Sequence, residues 1–526
     1  MIFGTDYYPE HWPRDRWETD LELMKEAGMN TIRIAEFAWT LMEPGEGIYS
    51  FEWLDEVISL AASRGIKTVM CTPTAAPPKW LMDKHPEIYQ KDEYGRVRGF
   101  GSRRHYCFNS IVFRDYSKKI IRVMAERYAG NPHIIAWQLD NEFGCHDTVR
   151  CYCEDCSASF SKWLEAKYGD IGVMNERLGM AFWSQQYPSF ESVILPAHTV
   201  CDNKENGMYA HNPGLFLDYC RFASDSVAAY SQMQIDELRS AGIDVPITHN
   251  FMGNFHDLDY YELAKQFEFI SWDCYPNIAH GPFTSLREVS FNHDKMRGYK
   301  GRKFWIMEMC SGQNGWNFMH ATPEPGQLRL WTYQAAAHGA EGIVYFRWRP
   351  CLFGTEQYWH GILDHDGVPR QRYEEIKQTG AELEALDRVV CETDIPSDVC
   401  ILNSFDNTWS HSYQWHSNEF DYNKILHTVH NAISSLNINC DVSDINVGLS
   451  KYKLVVMPAY NISSEEEAGK LREYVEKGGH LAITFRSGNR DKDNKINGMT
   501  LPGYFRDLCG IDIINYDPIG TGKRAA

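Results

Sequence analysis

The chain has 526 residues, which at roughly 100–200 residues per domain allows two to four domains, or one large barrel with an appended domain. Hydrophobic residues make up 43% and charged residues 23%, so a wholly disordered chain is excluded. The 71 acidic residues against 52 basic ones give a formal net charge of −19, which would repel nucleic acid and anionic membranes. We therefore expect neither as a partner.

The expected location is the cytoplasm. No apolar run reaches the 18 residues of a transmembrane helix, so none is expected. The opening residues, Met1 to Asp6, lack the basic start and long apolar run of a signal peptide and are predicted to form a strand. The 15 cysteines are odd in number and scattered through core-like segments, which favours free thiols in a reducing compartment.

Residues 1–390 alternate eight β-rich runs with amphipathic helices. The runs begin near Ile2, Thr31, Lys67, Ile134, Pro246, Phe269, Lys303 and Gly342. The helices between them include Asp15–Ala27, Trp53–Arg64, Arg114–Tyr128 and Gly326–His338. Apolar strands separated by helices are typical of a covered parallel sheet, and eight such units predict a (β/α)8 TIM barrel. The excess length falls in a cysteine-rich insertion after the fourth strand, between Cys145 and Asn212.

Residues 391–526 restart the alternation after a charged helix at Gln371–Arg388. Strand-like runs begin at Val399, Tyr452 and Leu481, and helices are expected near Asn423–Leu436 and Ser463–Glu476, with Ser464 as an N-cap. This pattern predicts an open, doubly wound α/β domain. It contains no Gly-rich phosphate-binding motif, so we expect no chemistry there.

Two glutamates fall at the carboxyl ends of barrel strands, where barrel enzymes carry their chemistry. Glu142 follows strand four and Glu308 ends strand seven. A carboxylate among apolar, strand-forming residues is costly unless it is used or paired, so the alternative for each is an ion pair with a basic residue. As a pair they fit glycosidic bond cleavage, which needs one carboxylic acid and one carboxylate. Asn141 is placed to bind a hydroxyl beside the anomeric carbon.

A second group is made of cysteines. Cys151, Cys153 and Cys156 lie within six positions, and Cys107 ends the run from Arg103. Thiolates clustered in this way predict a tetrahedral zinc site, which would be structural if all four ligands are sulfur. Free thiols are the alternative. His105 and His146 are rival ligands, and an open position would make the metal catalytic.

These motifs together resemble glycoside hydrolase family 42, over the whole barrel and into the second domain. The residues that carry the resemblance are Tyr7 to Trp12, Gly101 to Cys107, Trp137 to Glu142, the cysteine cluster, Asp273 to Pro276, Glu308 to Trp316, Gly354 to Gln357, and Asp364 to Gly367.

The resemblance implies a retaining, exo-acting β-galactosidase that acts on terminal β-D-galactosides of short oligosaccharides. It implies Glu142 as the general acid/base and Glu308 as the nucleophile. The implied sugar-binding residues are Arg103, Asn141, Tyr275, Trp316, Glu356 and His360. The implied ligands of a structural Zn2+ are Cys107, Cys151, Cys153 and Cys156. The second domain is implied to be an oligomerisation domain that builds a homotrimer; here it is expected to be a partial, flavodoxin-like one that is shortened at its C-terminus.

The sequence departs from the family pattern at two places. The spacing from Glu356 to His360 is one residue longer than expected, which makes Trp359 a further pocket candidate. The stretch from Met309 to Gly312 replaces a run expected to contain Gln and Pro.

Three other functions stay open on the sequence alone. The same machinery fits an α-L-arabinopyranosidase, whose sugar lacks the C6 hydroxymethyl of galactose. The barrel also fits a catalytically silent sugar-binding protein, although intact Asn141, Glu142 and Glu308 argue against it. The cysteine cluster fits a zinc-dependent hydrolase, against which the absence of an open metal position argues.

Overall fold

The computed structural model of the protein describes residues 1–200, 210–276, 282–316, 319–415, 417 and 420–516, and for residues 282–285 only the backbone. The strands are β1 (Ile2–Asp6), β2 (Thr31–Ile34), β3 (Lys67–Cys71), β4 (Ile134–Gln138), β5 (Ile247–Thr248), β6 (Asn250–Met252), β7 (Ser271–Cys274), β8 (Phe304–Cys310), β9 (Ala340–Phe346), β10 (Val399–Leu402), β11 (Cys440–Ser443), β12 (Leu454–Met457) and β13 (His480–Ile483). No described helix is long and apolar enough to cross a membrane.

Helices cover the strands. They are α1 (Arg14–Glu26), α2 (Trp39–Met42), α3 (Glu52–Ser63), α4 (Lys79–Lys84), α5 (Ile111–Tyr128), α6 (Glu154–Tyr168), α7 (Ile171–Arg177), α8 (Pro213–Ser240), α9 (Tyr260–Ala264), α10 (Pro282–Lys300), α11 (Gln327–Ala337), α12 (Gln371–Ala385), α13 (Asp387–Glu392), α14 (Phe405–Tyr413), α15 (Tyr422–Ser434), α16 (Glu465–Glu476) and α17 (Arg506–Cys509).

The first nine strands form one parallel sheet in the order β5-β4-β3-β2-β1-β9-β8-β7-β6. Only His249 separates β5 from β6 in the sequence, so the two ends of the sheet meet and the sheet closes into a barrel. The predicted (β/α)8 TIM barrel is confirmed, with the fifth predicted strand split in two. Its interior is apolar: Val69, Ala136, Met307 and Val344 pack there with almost no exposure.

The second sheet is parallel and runs β11-β10-β12-β13, the order expected of a flavodoxin-like doubly wound domain. Ser464 caps α16 as predicted, since its hydroxyl accepts a hydrogen bond from the Glu467 N–H at 3.3 Å. The predicted boundary at residue 390 falls inside α13 and stays a prediction. The predicted helix Gln371–Arg388 is shorter than expected: it ends at Ala385, and α13 begins at Asp387.

Barrel helix α10 docks on strand β11 of the second sheet. Asp294 on this helix accepts hydrogen bonds from Arg297 at 2.7 Å and from His430 of α15 at 2.8 Å. Gly298, one turn on, lies so close to β11 that a Cβ atom there would fall 2.0 Å from the Val442 carbonyl oxygen. The absence of a side chain at Gly298 therefore sets how closely the two parts of the molecule pack.

We expect Gly298→Ala to lower the melting temperature, because the new methyl group must push α10 away from the backbone of β11. Overpacking of this kind costs about 1–3 kcal/mol. Gly469→Ala in α16 is the matched control, since no atom lies within 4 Å of its Cβ position. Alanine there is expected to gain up to about 1 kcal/mol of helix stability. Calorimetric melting curves that coincide for the two variants would contradict the close packing at Gly298.

Candidate active site

Two carboxylates lie at the carboxyl end of the barrel, and both are held by hydrogen bonds. Glu308 lies within β8, where its side chain is 7% exposed. Its Oε1 accepts from Arg33 Nη1 of β2 at 2.8 Å, and its Oε2 accepts from the Tyr275 hydroxyl just after β7 at 2.6 Å. A third donor, Asn250 Nδ2 of β6, lies 3.3 Å from Oε1. Donors from three strands thus fix the orientation of this carboxylate.

Glu142 lies in the loop after β4, four residues beyond the end of the strand. Its Oε2 accepts from Arg104 at 2.9 Å, from Arg103 at 3.3 Å and from Asn141 Nδ2 at 3.2 Å. Its backbone has a φ of +44°, in the left-handed region that is unfavourable for a residue other than glycine. The surrounding contacts therefore have to hold this residue in place.

The two carboxylates are close to each other and to a third. One oxygen each of Glu142, Asp273 and Glu308 lie within 4.8 Å of one another. Burial raises the pKa of Glu308 to about 7; the guanidinium of Arg33 opposes this rise and the charge of Glu142 adds to it. For Glu142, burial acts in the same direction, but the guanidiniums of Arg104 and Arg103 prevail and lower its pKa. The site thus gives its two carboxyls opposite pKa shifts.

Asn250 connects the residues around both carboxylates. Its Nδ2 donates to Asn141 Oδ1 at 2.9 Å and to Asp273 Oδ2 at 2.7 Å. Its Oδ1 accepts from the Glu142 backbone N–H at 2.9 Å. Arg33 Nη2 also donates to Asn141 Oδ1, at 2.5 Å. The predicted residue Asn141 therefore has its oxygen engaged within the site.

An aromatic group lies beside the carboxylates. The Arg103 guanidinium lies 5.8 Å from the ring centroid of Trp316, and His146 packs against the same ring at 4.8 Å. Trp359 meets Tyr275 edge to face at 5.0 Å. Trp359 thus contacts a residue that binds Glu308, and its place in the pocket stays a prediction.

The two remaining predicted residues lie farther out. Glu356 Oε2 accepts from Arg347 at 3.4 Å. Although burial opposes it, the charges of Glu142 and Glu356 together raise the pKa of Arg103, which places Glu356 within electrostatic reach of the site. His360 Nδ1 lies 4.0 Å from an Asp364 oxygen, and neither residue bonds directly to Glu142 or Glu308.

Sequence reasoning missed four residues that bind the carboxylates or their neighbours: Arg33, Arg104, Asn250 and Asp273. Arg33 and Arg104 are fully buried. Arg33 could have been found from the sequence, because a charged residue inside the strand-like run from Thr31 to Ile34 indicates a buried, paired charge. Asp273 follows the pattern that found Glu142, since it is a polar residue one position before the end of β7, whereas Asn250 is the first residue of β6.

The cysteine cluster forms a compact group on the barrel rim. The sulfur atoms of Cys107, Cys151, Cys153 and Cys156 all lie within 4.8 Å of one another, and all four residues are buried. Asn109 donates its backbone N–H to Cys107 Sγ and its Nδ2 to Cys156 Sγ, both at 3.3 Å. In contrast, His105 packs against the Tyr89 ring at 5.5 Å, and neither it nor His146 is part of this group among the described residues.

A buried carboxylate pair at the carboxyl end of a (β/α)8 barrel is the arrangement that a glycoside hydrolase needs. Residues 6–386 match the glycoside hydrolase 42 β-galactosidase family model, and residues 397–526 match the β-galactosidase trimerisation domain model. The chain belongs to glycoside hydrolase family 42, the β-galactosidases.

Individual relatives are consistent with this family. The β-galactosidase of Halorubrum lacusprofundi is 40% identical over 99% of this chain and 74% of that protein, and its structure superposes with a TM-score of 0.92 over 97% of this chain and 76% of that one. A Thermus thermophilus β-galactosidase is 40% identical over 99% of this chain and 81% of that protein. The structure of the Marinomonas ef1 β-galactosidase is 35% identical, with a TM-score of 0.94 over 99% of this chain and 81% of that one.

Arg33 is the buried cation of the site, lying 3.2 Å from Asp6 and 2.8 Å from Glu308. We expect Arg33→Met to destabilise the fold by about 3–5 kcal/mol, the usual cost of leaving a buried charge without its partner. Arg33 lowers the pKa of Asp6 and of Glu308, so both pKa values rise further when its charge is removed. The folded variant then retains protons that the unfolded chain releases. The loss should therefore be larger at pH 8 than at pH 6.

Denaturant unfolding at the two pH values measures this effect. Arg33→Lys keeps the positive charge and is the matched control, with a smaller loss and less added pH dependence. An equal loss at pH 6 and pH 8 for Arg33→Met would contradict the electrostatic role.

Proposed function

We propose that the protein is an exo-acting, retaining β-galactosidase that hydrolyses terminal β-D-galactosides of short oligosaccharides. The carboxylate separation carries the proposal, because oxygens of Glu142 and Glu308 lie within 4.8 Å. Retaining glycosidases hold their carboxyl groups about 5–5.5 Å apart, whereas inverting ones need about 6.5–9.5 Å to admit a water molecule. The short separation supports direct attack by a carboxylate on the anomeric carbon.

Glu308 is the nucleophile and Glu142 the general acid/base in this proposal. A Glu308 oxygen bonds to the anomeric carbon while the glycosidic C–O bond breaks and the leaving oxygen takes a proton from Glu142. Glu142 then removes a proton from a water molecule, whose oxygen attacks the anomeric carbon and releases the Glu308 carboxylate. The donors Arg33 and Tyr275 orient Glu308 for the first step.

The pKa directions in the free site, raised for Glu308 and Asp273 and lowered for Glu142, place the proton that the first step needs on a carboxyl other than Glu142. We infer that sugar binding transfers it to Glu142. Arg103 contacts Glu142 at 3.3 Å and is partly exposed, so a sugar hydroxyl can draw it away. Losing one of its two guanidiniums would raise the pKa of Glu142 towards that of an acid catalyst.

Around this pair we propose Arg103, Asn141, Tyr275 and Trp316 as residues that bind the galactose ring. The flat, apolar face of Trp316 suits the C–H face of a sugar, and Arg103 beside it supplies hydrogen-bond donors. Glu356 and His360 are proposed as contacts for the galactose hydroxyls remote from the anomeric carbon. Their position farther from Glu308 supports an outer role.

Replacing each glutamate by alanine tests the two roles separately. We expect Glu308→Ala to lower kcat/KM on aryl β-D-galactosides by a factor on the order of 10⁴ or more, because no bond to the anomeric carbon can form. Azide should partly restore turnover and yield the α-galactosyl azide, from one inversion. With Glu142→Ala the glycosyl-enzyme still forms, so azide should yield the β-galactosyl azide.

NMR of the azides and of the anomer first released by the wild-type enzyme reads out the result. The β-anomer is expected first from wild type. A β-galactotriose labelled at its reducing end should first give unlabelled galactose and labelled galactobiose, because an exo-acting enzyme cuts at the opposite end. Release of the α-anomer would show an inverting enzyme, and exchanged azide products would show that the two glutamates have exchanged roles. Faster turnover of aryl α-L-arabinopyranoside than of aryl β-D-galactoside would identify the arabinopyranoside as the preferred substrate and would not contradict the mechanism.

We also propose that Cys107, Cys151, Cys153 and Cys156 hold a structural Zn2+. Zinc–sulfur bonds of about 2.3 Å in a tetrahedron place sulfur atoms about 3.8 Å apart, and the observed cluster is compact enough for this. The N–H groups of Asn109 that point at two of the sulfurs suit thiolate ligands. Four protein ligands leave no position for a substrate, so the ion would stabilise the insertion.

Every described cysteine is a free thiol, which supports a reducing, cytoplasmic location.

Metal analysis of protein purified under reducing conditions should find about one zinc per protein molecule. Cys156→Ser is expected to lose the zinc and lower the melting temperature, since a structural metal contributes its binding energy to folding. Cys509→Ser, a cysteine outside the cluster, is the control and should keep both. A metal-free protein with an unchanged melting temperature after chelation would contradict the site.

We propose that three copies of the protein form a homotrimer, which the match of residues 397–526 to a trimerisation domain supports. The insertion after β4 is fixed to this domain, since Arg177 at the end of α7 pairs with Asp493 at 2.7 Å. Just beyond, Phe182 and Trp183 stack at 4.5 Å while 61% and 68% exposed. An exposed aromatic pair of this kind favours a contact with a neighbouring copy.

Light scattering should therefore report the mass of three copies of 60.8 kDa. The double variant Phe182→Ser, Trp183→Ser is expected to dissociate at higher protein concentration than wild type, because each buried aromatic side chain contributes about 1.5–3 kcal/mol of apolar contact. A wild-type monomer at micromolar concentration would contradict the trimer, and an unchanged variant would exclude this aromatic pair from the interface.

A further inference from the structure

We propose that His249 is a positioning residue for acid catalysis by Glu142, a role that rests on the proposed function of Glu142. His249 is the residue that separates β5 from β6, and it is fully buried. Its ring joins the two ends of the loop that carries Glu142. The proposal follows from the conformation of that loop and from the hydrogen bonds that hold it.

The loop from Leu139 to Phe143 has a costly backbone conformation. Asp140 and Glu142 both have positive φ values, +50° and +44°. Residues other than glycine in this region cost on the order of 1–3 kcal/mol each, and they persist only where the surrounding structure imposes them. Two such residues within three positions therefore require strong external support.

Every backbone N–H of the loop has a fixed partner. Leu139 donates to the Thr248 carbonyl at 2.9 Å, and Asp140 donates to the Thr72 hydroxyl at 2.7 Å. The remaining three acceptors are the Asp140 side chain for Asn141, Asn250 Oδ1 for Glu142 and His249 Nε2 for Phe143. Three consecutive residues, Thr248 to Asn250, thus supply three of the five acceptors.

His249 hydrogen-bonds to both ends of the loop. Its Nε2 accepts from the Phe143 N–H at 3.0 Å, and its Nδ1 lies 2.8 Å from the Leu139 carbonyl oxygen. An acceptor at Nε2 and a carbonyl partner at Nδ1 require the neutral ring with its proton on Nδ1. Burial, opposed by the Leu139 hydrogen bond, lowers the pKa of His249 to about 3, so this form persists at every working pH. The ring also stacks on Phe143 at 4.1 Å.

The expected consequence is specific to proton donation. If the loop relaxes, the Glu142 carboxyl moves, whereas Glu308 keeps its own donors on β2 and β7. A displacement of about 1 Å at a catalytic group costs on the order of 100-fold in rate. Asn141, in the same loop, keeps its side-chain hydrogen bonds to Arg33 and Asn250, so only substrates whose leaving group needs a proton should suffer this loss.

His249→Phe is the decisive variant, because it keeps the ring and its stacking but removes both hydrogen bonds. We expect kcat/KM for phenyl β-D-galactoside, whose leaving group needs a proton, to fall on the order of 100-fold. For 2,4-dinitrophenyl β-D-galactoside, whose leaving group needs none, kcat/KM should fall less than about 5-fold. His249→Gln, which keeps one donor and one acceptor, should recover part of the phenyl galactoside activity and serves as the test if His249→Phe fails to fold.

Two reference variants separate the possible failures. Glu142→Ala must show the same split between the two substrates; if it does not, the proposed role of Glu142 has failed. Tyr275→Phe removes a donor to Glu308 and should slow both substrates alike. If Glu142→Ala shows the split but the His249 variants slow both substrates equally, or neither, the positioning role of His249 is overturned.

Discussion

The active site depends on keeping three carboxylates in a volume that has little water to solvate them. Glu142, Asp273 and Glu308 have oxygens within 4.8 Å, and an ionised carboxylate in such surroundings is stable only with cations or hydrogen-bond donors. The barrel supplies these from separate strands. Arg33 of β2 pairs with Glu308, whereas Arg104 from the loop before α5 pairs with Glu142. Because Glu142 contacts two guanidiniums, whereas Glu308 shares that of Arg33 with Asp6, the two acquire different proton affinities although they are neighbours.

This division also explains why two adjacent arginines face Glu142. Arg104 is fully buried and donates through Nε to the Asn141 carbonyl at 2.8 Å, so it is fixed to the loop. Arg103 is 20% exposed and lies between the rings of Phe37 and Trp316. One guanidinium is therefore fixed to the loop, and the other is the partly exposed one that we propose to meet the sugar. A ligand that engages Arg103 changes the charge at Glu142 without disturbing the loop.

The sequence predicted the parts of this molecule that depend on local pattern. All eight barrel strands were identified from apolar runs between helices, and Glu142 and Glu308 from their positions as charged residues at apolar strand ends. The split of the fifth strand at His249 was not predictable, because that residue's partners, Leu139 and Phe143, lie more than 100 positions away. Asn250 was missed for the same reason: its partners come from β4 and the loop after it, from β7 and from β8, and only closure of the barrel brings them together.

The distance between the carboxylates is likewise a property of the closed barrel and not of sequence spacing, since 166 positions separate residues 142 and 308. β4 and β8, which lead to the two glutamates, are not neighbours in the sheet. Their separation at the open end therefore depends on how the strands tilt and on where the loop after β4 turns inward. The left-handed residues Asp140 and Glu142 make that turn. A regular extension of β4 would carry Glu142 along the strand direction and away from Glu308. The strained loop, and the residues of β5 and β6 that stabilise it, therefore bring two distant glutamates together as the pair that we propose to be catalytic.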